Sequence, residues 1–346
     1  MAFMMGYWFY KYEVEDRDIG VVDYAKLEDA EDIKFPDVSI CIGYPFHRKN
    51  LKAINSSIFS WDYQEYLAGE LYDKMYEEID YANVTLDLNQ YFKSGAVSWQ
   101  DGTSKSITSD GINYINTFNG FHTIGTRFLK CFTMILNVEE PRRVKEIMVD
   151  FDKRKTKSDR IDELYIIVHY PSQFFLLNSI EMRKVPIGYQ VAFTTLSLEK
   201  LEILKQRNSR HRKCFKDIDN YDKAIVDEVL HKTGCRPPYL QSHQSYPKCK
   251  TQKDIKNGTI DILARKRVQI PNACLRISEV RQNFENANSN SSRYTPTNSP
   301  TWTFVIDYPE EVKIITQSKD VDVHSLIGNI GGYLGLFLGD ITILIQ

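Results

Sequence analysis

The last 22 residues, Ser325 to Gln346, contain no lysine or arginine and a single acid, Asp340. No other stretch limits the possible folds as strongly. As a helix at 1.5 Å per residue the run is about 33 Å long, enough to cross a hydrocarbon core of about 30 Å. Gly331, Gly335 and Gly339 recur at four-residue intervals, which on a helix makes a smooth strip that another helix can approach closely. Leu334, Phe337, Leu338 and Leu344 occupy other positions of the run. A carboxylate inside a membrane belongs against a partner or water rather than lipid, so Asp340 points to neighbouring helices. The pattern predicts a membrane helix with neighbours. The competing reading is a buried soluble helix or a flexible glycine-rich tail.

The opposite end, Met1 to Tyr10, is also apolar, but it lacks a basic leading segment and is too short for a signal peptide or a span. Tyr7, Trp8, Tyr10 and Tyr12 cluster as amphipathic rings do at a bilayer interface, which makes this stretch read as the outer end of a membrane helix. An ordinary buried apolar start is the alternative. Between these ends, 44 basic and 46 acidic residues mix to a formal net charge of −2 with no long basic block, which argues against a nucleic-acid partner. At 346 residues and 42% hydrophobic content the chain is able to bury a sizeable core in one large domain or two.

Six cysteines, at 41, 131, 214, 235, 249 and 274, include no CxxC pair, which argues against a structural zinc site. Sequons stand at Asn55, Asn83, Asn257 and Asn290. An even cysteine count beside sequons reads as three disulfides in an oxidising compartment, with 15 pairings open; free buried thiols are the alternative. The sequence has no GxGxxG after a strand, no GxxxxGK[ST], and no HExxH or short-spaced pair among its seven histidines. Neither an enzyme nor a cofactor or resident metal is therefore expected. His169, beside a strand, and His324, beside the terminal run, read as structural histidines.

Along the chain, Glu13 to Lys34 reads as an acidic linker, and Val38, Ile40 and Ile42 alternate as in a half-buried strand. Leu67, Leu71, Met75 and Ile79 predict one apolar face of a helix. Residues 95–125, rich in Gly, Ser, Thr and Asn, read as loops between short strands, and Asn286 to Ser299 as an exposed loop. Strands are expected over 128–136, 164–169, 190–196 and 301–308. A helix is expected over Asp219–Lys232, stopped by Gly234 and Pro237. No internal repeat is visible. The sum is an α+β chain with a mixed sheet and peripheral helices.

With an apolar helix at each end and a cysteine-bearing block between, four stretches resemble one family. Phe35-Pro-Asp-Val-Ser-Ile-Cys41 is similar to the strand after the first membrane helix of the degenerin and epithelial sodium channel family, which includes the acid-sensing ion channels. Lys130-Cys-Phe-Thr-Met-Ile-Leu-Asn137 resembles that family's Lys-Cys-[YF]-Thr motif, and Gly234-Cys-Arg-Pro-Pro-Tyr239 its cysteine-rich thumb segment. Ile327 to Gly339 resembles its pre-pore motif, the most specific of the four.

The resemblance implies pairing of Cys41 with Cys131, Cys214 with Cys274 and Cys235 with Cys249. It implies residues 1–12 as the outer end of the first transmembrane helix, 13–324 as an extracellular domain of palm, finger and thumb (the thumb at about 207–280), and 325–346 as the outer part of the pore helix. The implied function is a subunit of a trimeric, amiloride-sensitive sodium channel at the plasma membrane. That makes sodium ions, membrane lipid and like or unlike channel subunits its partners. A non-conducting secreted or membrane-anchored binding glycoprotein is the alternative. Ser325 falls at the small-residue gating position, Gly335 near the blocker site, and Gly339, Asp340 and Ile341 at the selectivity filter. There the family's Gly-x-Ser is broken, because Ile341 stands where serine is usual; Asn329 likewise replaces a usual aspartate. Three copies of Asp340 near an axis would form a carboxylate ring that attracts cations. The alternative is a faulty or truncated end. Measured against the family pattern, the chain reads as a subunit truncated at both ends, with the motions of thumb and palm expected to reach the pore through a wrist around Tyr10 and His324.

Overall fold

The structure is a computed structural model that describes residues 2–30, 32–43, 85–107, 112–117, 129–136, 138, 140, 143–152, 163–173, 183–186, 191–236, 245–250, 254, 269–288 and 301–345. Its strands in chain order are β1 (Asp18–Lys26), β2 (Asp37–Gly43), β3 (Phe92–Trp99), β4 (Ser104–Ile107), β5 (Ile112–Thr117), β6 (Leu129–Leu136) and β7 (Val144–Asp152). They continue with β8 (Glu163–His169), β9 (Arg183–Pro186), β10 (Val191–Lys205), β11 (Leu275–Asn288), β12 (Thr301–Asp307) and β13 (Glu311–Lys319). The helices used below are α1 (Ala2–Tyr10), continued by a π-helical turn Lys11–Glu15, then α2 (Tyr221–Thr233) and α3 (Val323–Ile345).

Two sheets carry the fold. The smaller runs β5-β6-β2-β8-β9 and is antiparallel throughout. The larger runs β1-β13-β10-β12-β7-β3-β4, with β11 also on β10. Strand β10 is its spine. It pairs antiparallel with β11 along its whole length, so β12 and β13 follow one another on its other edge, both parallel to it. The result is a sheet-rich mixed fold whose helices lie at the periphery.

Alternation builds the core between these sheets. In β7 the residues Val144, Ile147, Val149 and Phe151 are buried, and opposite them Trp302, Phe304 and Ile306 of β12 are inaccessible to solvent. The Trp302 ring stacks between Phe151 and Phe304 at centroid distances of 5.3 and 5.7 Å, and its indole N–H donates to Thr194 Oγ1 at 3.1 Å. A buried indole that satisfies its one donor keeps the full gain of its apolar burial.

Four sequence expectations change here. Strand β2 is central in its sheet and buried on both faces: Val38, Ile40 and Ile42 face the main core, while Ser39 and Cys41 on the other face are equally inaccessible. The presumed linker over 13–34 contains the nine-residue strand β1. Ile19, Val21, Val22 and Tyr24 on this edge strand stay exposed, so it lacks the one-sided burial that an alternating pattern reports. Within 95–125, residues 95–99 belong to β3, which pairs on both edges, and β4 and β5 also fall in this stretch. Strand β10 extends to Lys205, nine residues past the expected 196, through a charged stretch. There Glu202 is 8% exposed yet accepts hydrogen bonds from Lys313 Nζ at 2.7 Å and Ser278 Oγ at 2.8 Å. The helix expected around Leu67–Ile79 lies outside the described residues.

Helix α2 begins at Tyr221 and ends where Gly234 takes φ 70°, a left-handed C-cap whose N–H bonds Leu230 O at 2.8 Å. Its apolar side, Tyr221, Ile225, Val226, Val229 and Leu230, is buried.

Candidate functional site: the junction between the sheet and the terminal helices

Strands β1 and β13 form one antiparallel ribbon, with Asp18 opposite Lys319, and each runs directly into a terminal helix. The backbone continues the pairing one step further, where Asp320 N–H donates to Arg17 O at 2.9 Å. Both helices therefore leave the sheet at the same point, and α1 packs on α3.

On the first side, the π-helical turn ends at Asp16, whose φ of 41° lies in the left-handed region that a residue with a β-carbon enters at a cost. Long-range polar contacts hold it there. Arg207, just after β10, donates from Nη2 to Asp16 Oδ1 at 2.7 Å and to Asp16 O at 3.2 Å, and from Nε to Asp18 Oδ1 at 2.5 Å. The backbone N–H of Arg210 reaches Asp16 Oδ2 at 3.3 Å, and the Lys319 ammonium lies 3.7 Å from Asp16 Oδ1. His211 Nε2 donates to Val14 O at 3.1 Å, and the Lys319 ammonium sits 3.2 Å from the centre of the Tyr12 ring. The Arg207 hydrogen bond holds the Asp16 carboxyl below the usual carboxylate range, against a smaller opposing effect of burial. Together these contacts tie residues 207–211 to the turn that joins α1 to β1. Of this cluster only Tyr12 was singled out from the sequence; Asp16 and Asp18, Arg207, and Lys319 stand far apart in the chain, and the fold brings them together.

On the second side, Asp322 starts α3. Its carboxylate accepts from Ser325 N–H at 2.6 Å and its carbonyl from Leu326 N–H at 2.9 Å, an N-cap that lowers its pKa chiefly through the Ser325 N–H. Ser325 is thus in the first turn, exposed, and His324 is exposed beside it. The helix begins at Val323, two residues earlier than the apolar run. A β-carbon added at Gly328, Gly331, Gly332 or Gly335 would meet nothing within 4 Å, so in the single chain this strip is open. Gly339, Asp340 and Ile341 continue the helical backbone, with their side chains outside the described residues. Among the described residues, no helix is long and apolar enough to cross a membrane.

Three disulfides brace the domain. Cys41–Cys131 joins directly opposed residues of β2 and β6, Cys214–Cys274 closes the base of the segment that carries α2, and Cys235–Cys249 lies within that segment. These are the three pairs the family resemblance implies. Leu275–Val280, the end of the stretch assigned to the thumb, belong to β11 of the sheet. All four sequons, Asn55, Asn83, Asn257 and Asn290, lie outside the described residues.

The disulfide-bridged, sheet-rich domain thus has both terminal helices rooted in one ribbon. The chain belongs to the amiloride-sensitive sodium channel family, whose sequence model matches residues 3–340. Among solved structures it is similar to a cryo-EM structure of a proton-activated chloride channel. That similarity has 10% identity and a TM-score of 0.29 and covers 100% of this chain and 93% of that chain. No curated protein matches.

Proposed function

We propose that this chain is a subunit of a trimeric, amiloride-sensitive sodium channel of the plasma membrane. Residues 13–324 are extracellular, α1 and α3 stand in lipid, and α3 lines the path for sodium ions. The family match over residues 3–340 carries this reading. The open glycines of α3 support it, because Gly331 and Gly335 suit close approach of like or unlike subunits around an axis, and Gly339 continues their four-residue spacing in the sequence. In this reading Gly339, Asp340 and Ile341 form the filter, Ser325 is the gating position, Gly335 lies at the blocker site, and Asn55, Asn83, Asn257 and Asn290 carry glycans. The ion-paired junction at Asp16 and Arg207 is the mechanical link: a movement of the segment that follows β10 pulls on the turn between α1 and β1, and the shared ribbon passes the pull to α3.

The test transfers Ser325–Gln346 into a complete family member and records sodium current with and without amiloride. Amiloride-sensitive current that loses its cation preference on Asp340→Asn supports the pore assignment. Silence despite surface expression removes it and favours a non-conducting glycoprotein.

A further inference from the structure

Lys205 to Lys216 holds six lysines and arginines, one histidine and no acid, in a chain whose formal net charge is only −2. Two of the six are engaged. Lys205, the last residue of β10, lies 3.6 Å from Asp32 Oδ2, and Arg207 bridges Asp16 and Asp18. Arg210, Arg212, Lys213 and Lys216 are exposed, and among the described residues no ion pair engages them. The turn that carries the first three has a fixed backbone. Ser209 N–H donates to Arg212 O and Arg212 N–H to Ser209 Oγ, both at 3.1 Å, and the Cys214–Cys274 disulfide closes the turn from behind.

Its place relative to α1 is equally defined. His211 Nε2 donates to Val14 O at 3.1 Å and Arg210 N–H to Asp16 Oδ2 at 3.3 Å. Val14 is four residues past Tyr10, about 6 Å along a helix axis. Tyr7, Trp8 and Tyr10 are rings that suit a bilayer interface, and the Lys11 ammonium lies 5.1 and 5.6 Å from the centres of the first two. The polar layer outside a hydrocarbon core is about 5–8 Å deep on each side. With α1 in lipid, the turn therefore stands at the height of the headgroups. The acids of the junction leave its charge in place. Asp16 and Asp18 are taken by Arg207, Glu15 pairs with Arg17 at 3.2 Å, and Asp322 caps α3. Glu13, exposed on the π-helical turn, and Asp320, near Lys11, remain against the four free cations of the loop.

We propose that Arg210, Arg212 and Lys213 dock acidic lipid headgroups of the bilayer around α1. This rests on the membrane placement of α1 proposed above and adds to it the class of lipid. Guanidinium groups match phosphate oxygens with paired N–H donors, and an ammonium adds a point charge. Each basic residue near a membrane surface strengthens the attraction to anionic lipid by about fivefold. Because the same turn bonds Val14 and Asp16, lipid held here braces the root of α1.

The test reconstitutes the full chain in phosphatidylcholine vesicles and checks insertion by resistance to alkaline carbonate extraction. Spin-labelled phosphatidylglycerol and spin-labelled phosphatidylcholine are then compared by the fraction immobilised at the protein. The expected result is a preference of about fivefold or more for phosphatidylglycerol at about 0.1 M salt, collapsing at about 1 M salt, where the Debye length falls to about 3 Å. Arg210→Gln, Arg212→Gln and Lys213→Gln together remove the preference, while Arg210→Lys with Arg212→Lys keeps most of it. Equal immobilisation of the two lipids, or a preference that survives the three glutamines in an inserted chain, overturns the docking surface and leaves the channel reading to be decided by current. If the glutamine variant fails to insert, the unmodified chain decides alone, and a preference indifferent to salt is the refuting result. A chain fully extracted by carbonate overturns both this proposal and the placement of α1 in lipid. Binding of a soluble sulfated polysaccharide that the three glutamines abolish, with no lipid preference, assigns the turn to an extracellular polyanion instead.

Discussion

Replacing Arg207 with Gln removes the one guanidinium that bridges Asp16 and Asp18, whose side chains are 10% and 5% exposed. The two carboxylates would be left with Lys319 at 3.7 Å from Asp16 as the remaining nearby cation among the described residues. A fully buried pair broken this way costs about 3–5 kcal/mol and an exposed pair up to about 1 kcal/mol. Arg207 itself is 23% exposed, so solvent screens part of the loss and the expected cost is about 2–3 kcal/mol. With an unfolding entropy of about 2.1 cal/mol/K per residue over 346 residues, that lowers Tm by about 3–4 °C. The assay is thermal unfolding of the purified chain, run as a double-mutant cycle with Asp18→Asn. A coupling of about 1 kcal/mol or more is expected, because the guanidinium Nε and the Asp18 carboxylate meet directly. An unchanged Tm in Arg207→Gln, or costs that simply add, would refute the claim that this cluster clamps the junction.

Further outcomes follow from the core and the disulfides. Trp302→Ala removes the ring stacked between Phe151 and Phe304 and should cost about 3–5 kcal/mol in denaturant unfolding, while a loss below about 1 kcal/mol would contradict the packing. Replacing Cys235 and Cys249 together by serine opens a loop of 14 residues and should cost about 3 kcal/mol. The Cys41 and Cys131 pair, 90 residues apart, should cost about 4–5 kcal/mol, and the reverse ranking in unfolding midpoints would count against a chain-entropy origin. Burial lowers His169 from 6.5 to about 4, so the folded chain keeps it neutral where an unfolded chain protonates it. Its stabilisation is present above pH 6.5 and is lost as pH falls toward 4. His169→Gln should flatten that acid-side loss in urea titrations, and an unaltered slope would show that His169 is not its source.

The sequence carried some of this plainly and some not at all. Strand β12 was readable because Trp302, Phe304 and Ile306 alternate against a buried neighbour, and α2 because Gly234 marks its end. Strand β1 was not, because an edge strand exposed on both faces has no hydrophobic rhythm. The far half of β10 hid behind Glu199, Lys200 and Glu202; inside the sheet Glu202 is offset by Lys313, Lys200 and Ser278, and Lys200 also pairs with Glu279. Family motifs supplied the disulfide pairing, which spacing left open among 15 choices. The junction at Asp16 escaped because it depends on residues about 190 positions apart, a contact that no local pattern encodes.

The most direct measurement replaces the corresponding region of a complete family member with residues 13–324 and compares amiloride-sensitive sodium current from the unmodified chimera with that from its Arg207→Gln variant. Current in the first and an altered open fraction in the second, at equal surface expression, is the expected result. A chimera that reaches the surface as a trimer and passes no current, or one whose gating ignores Arg207, would contradict the reading of this domain as the part that drives the channel.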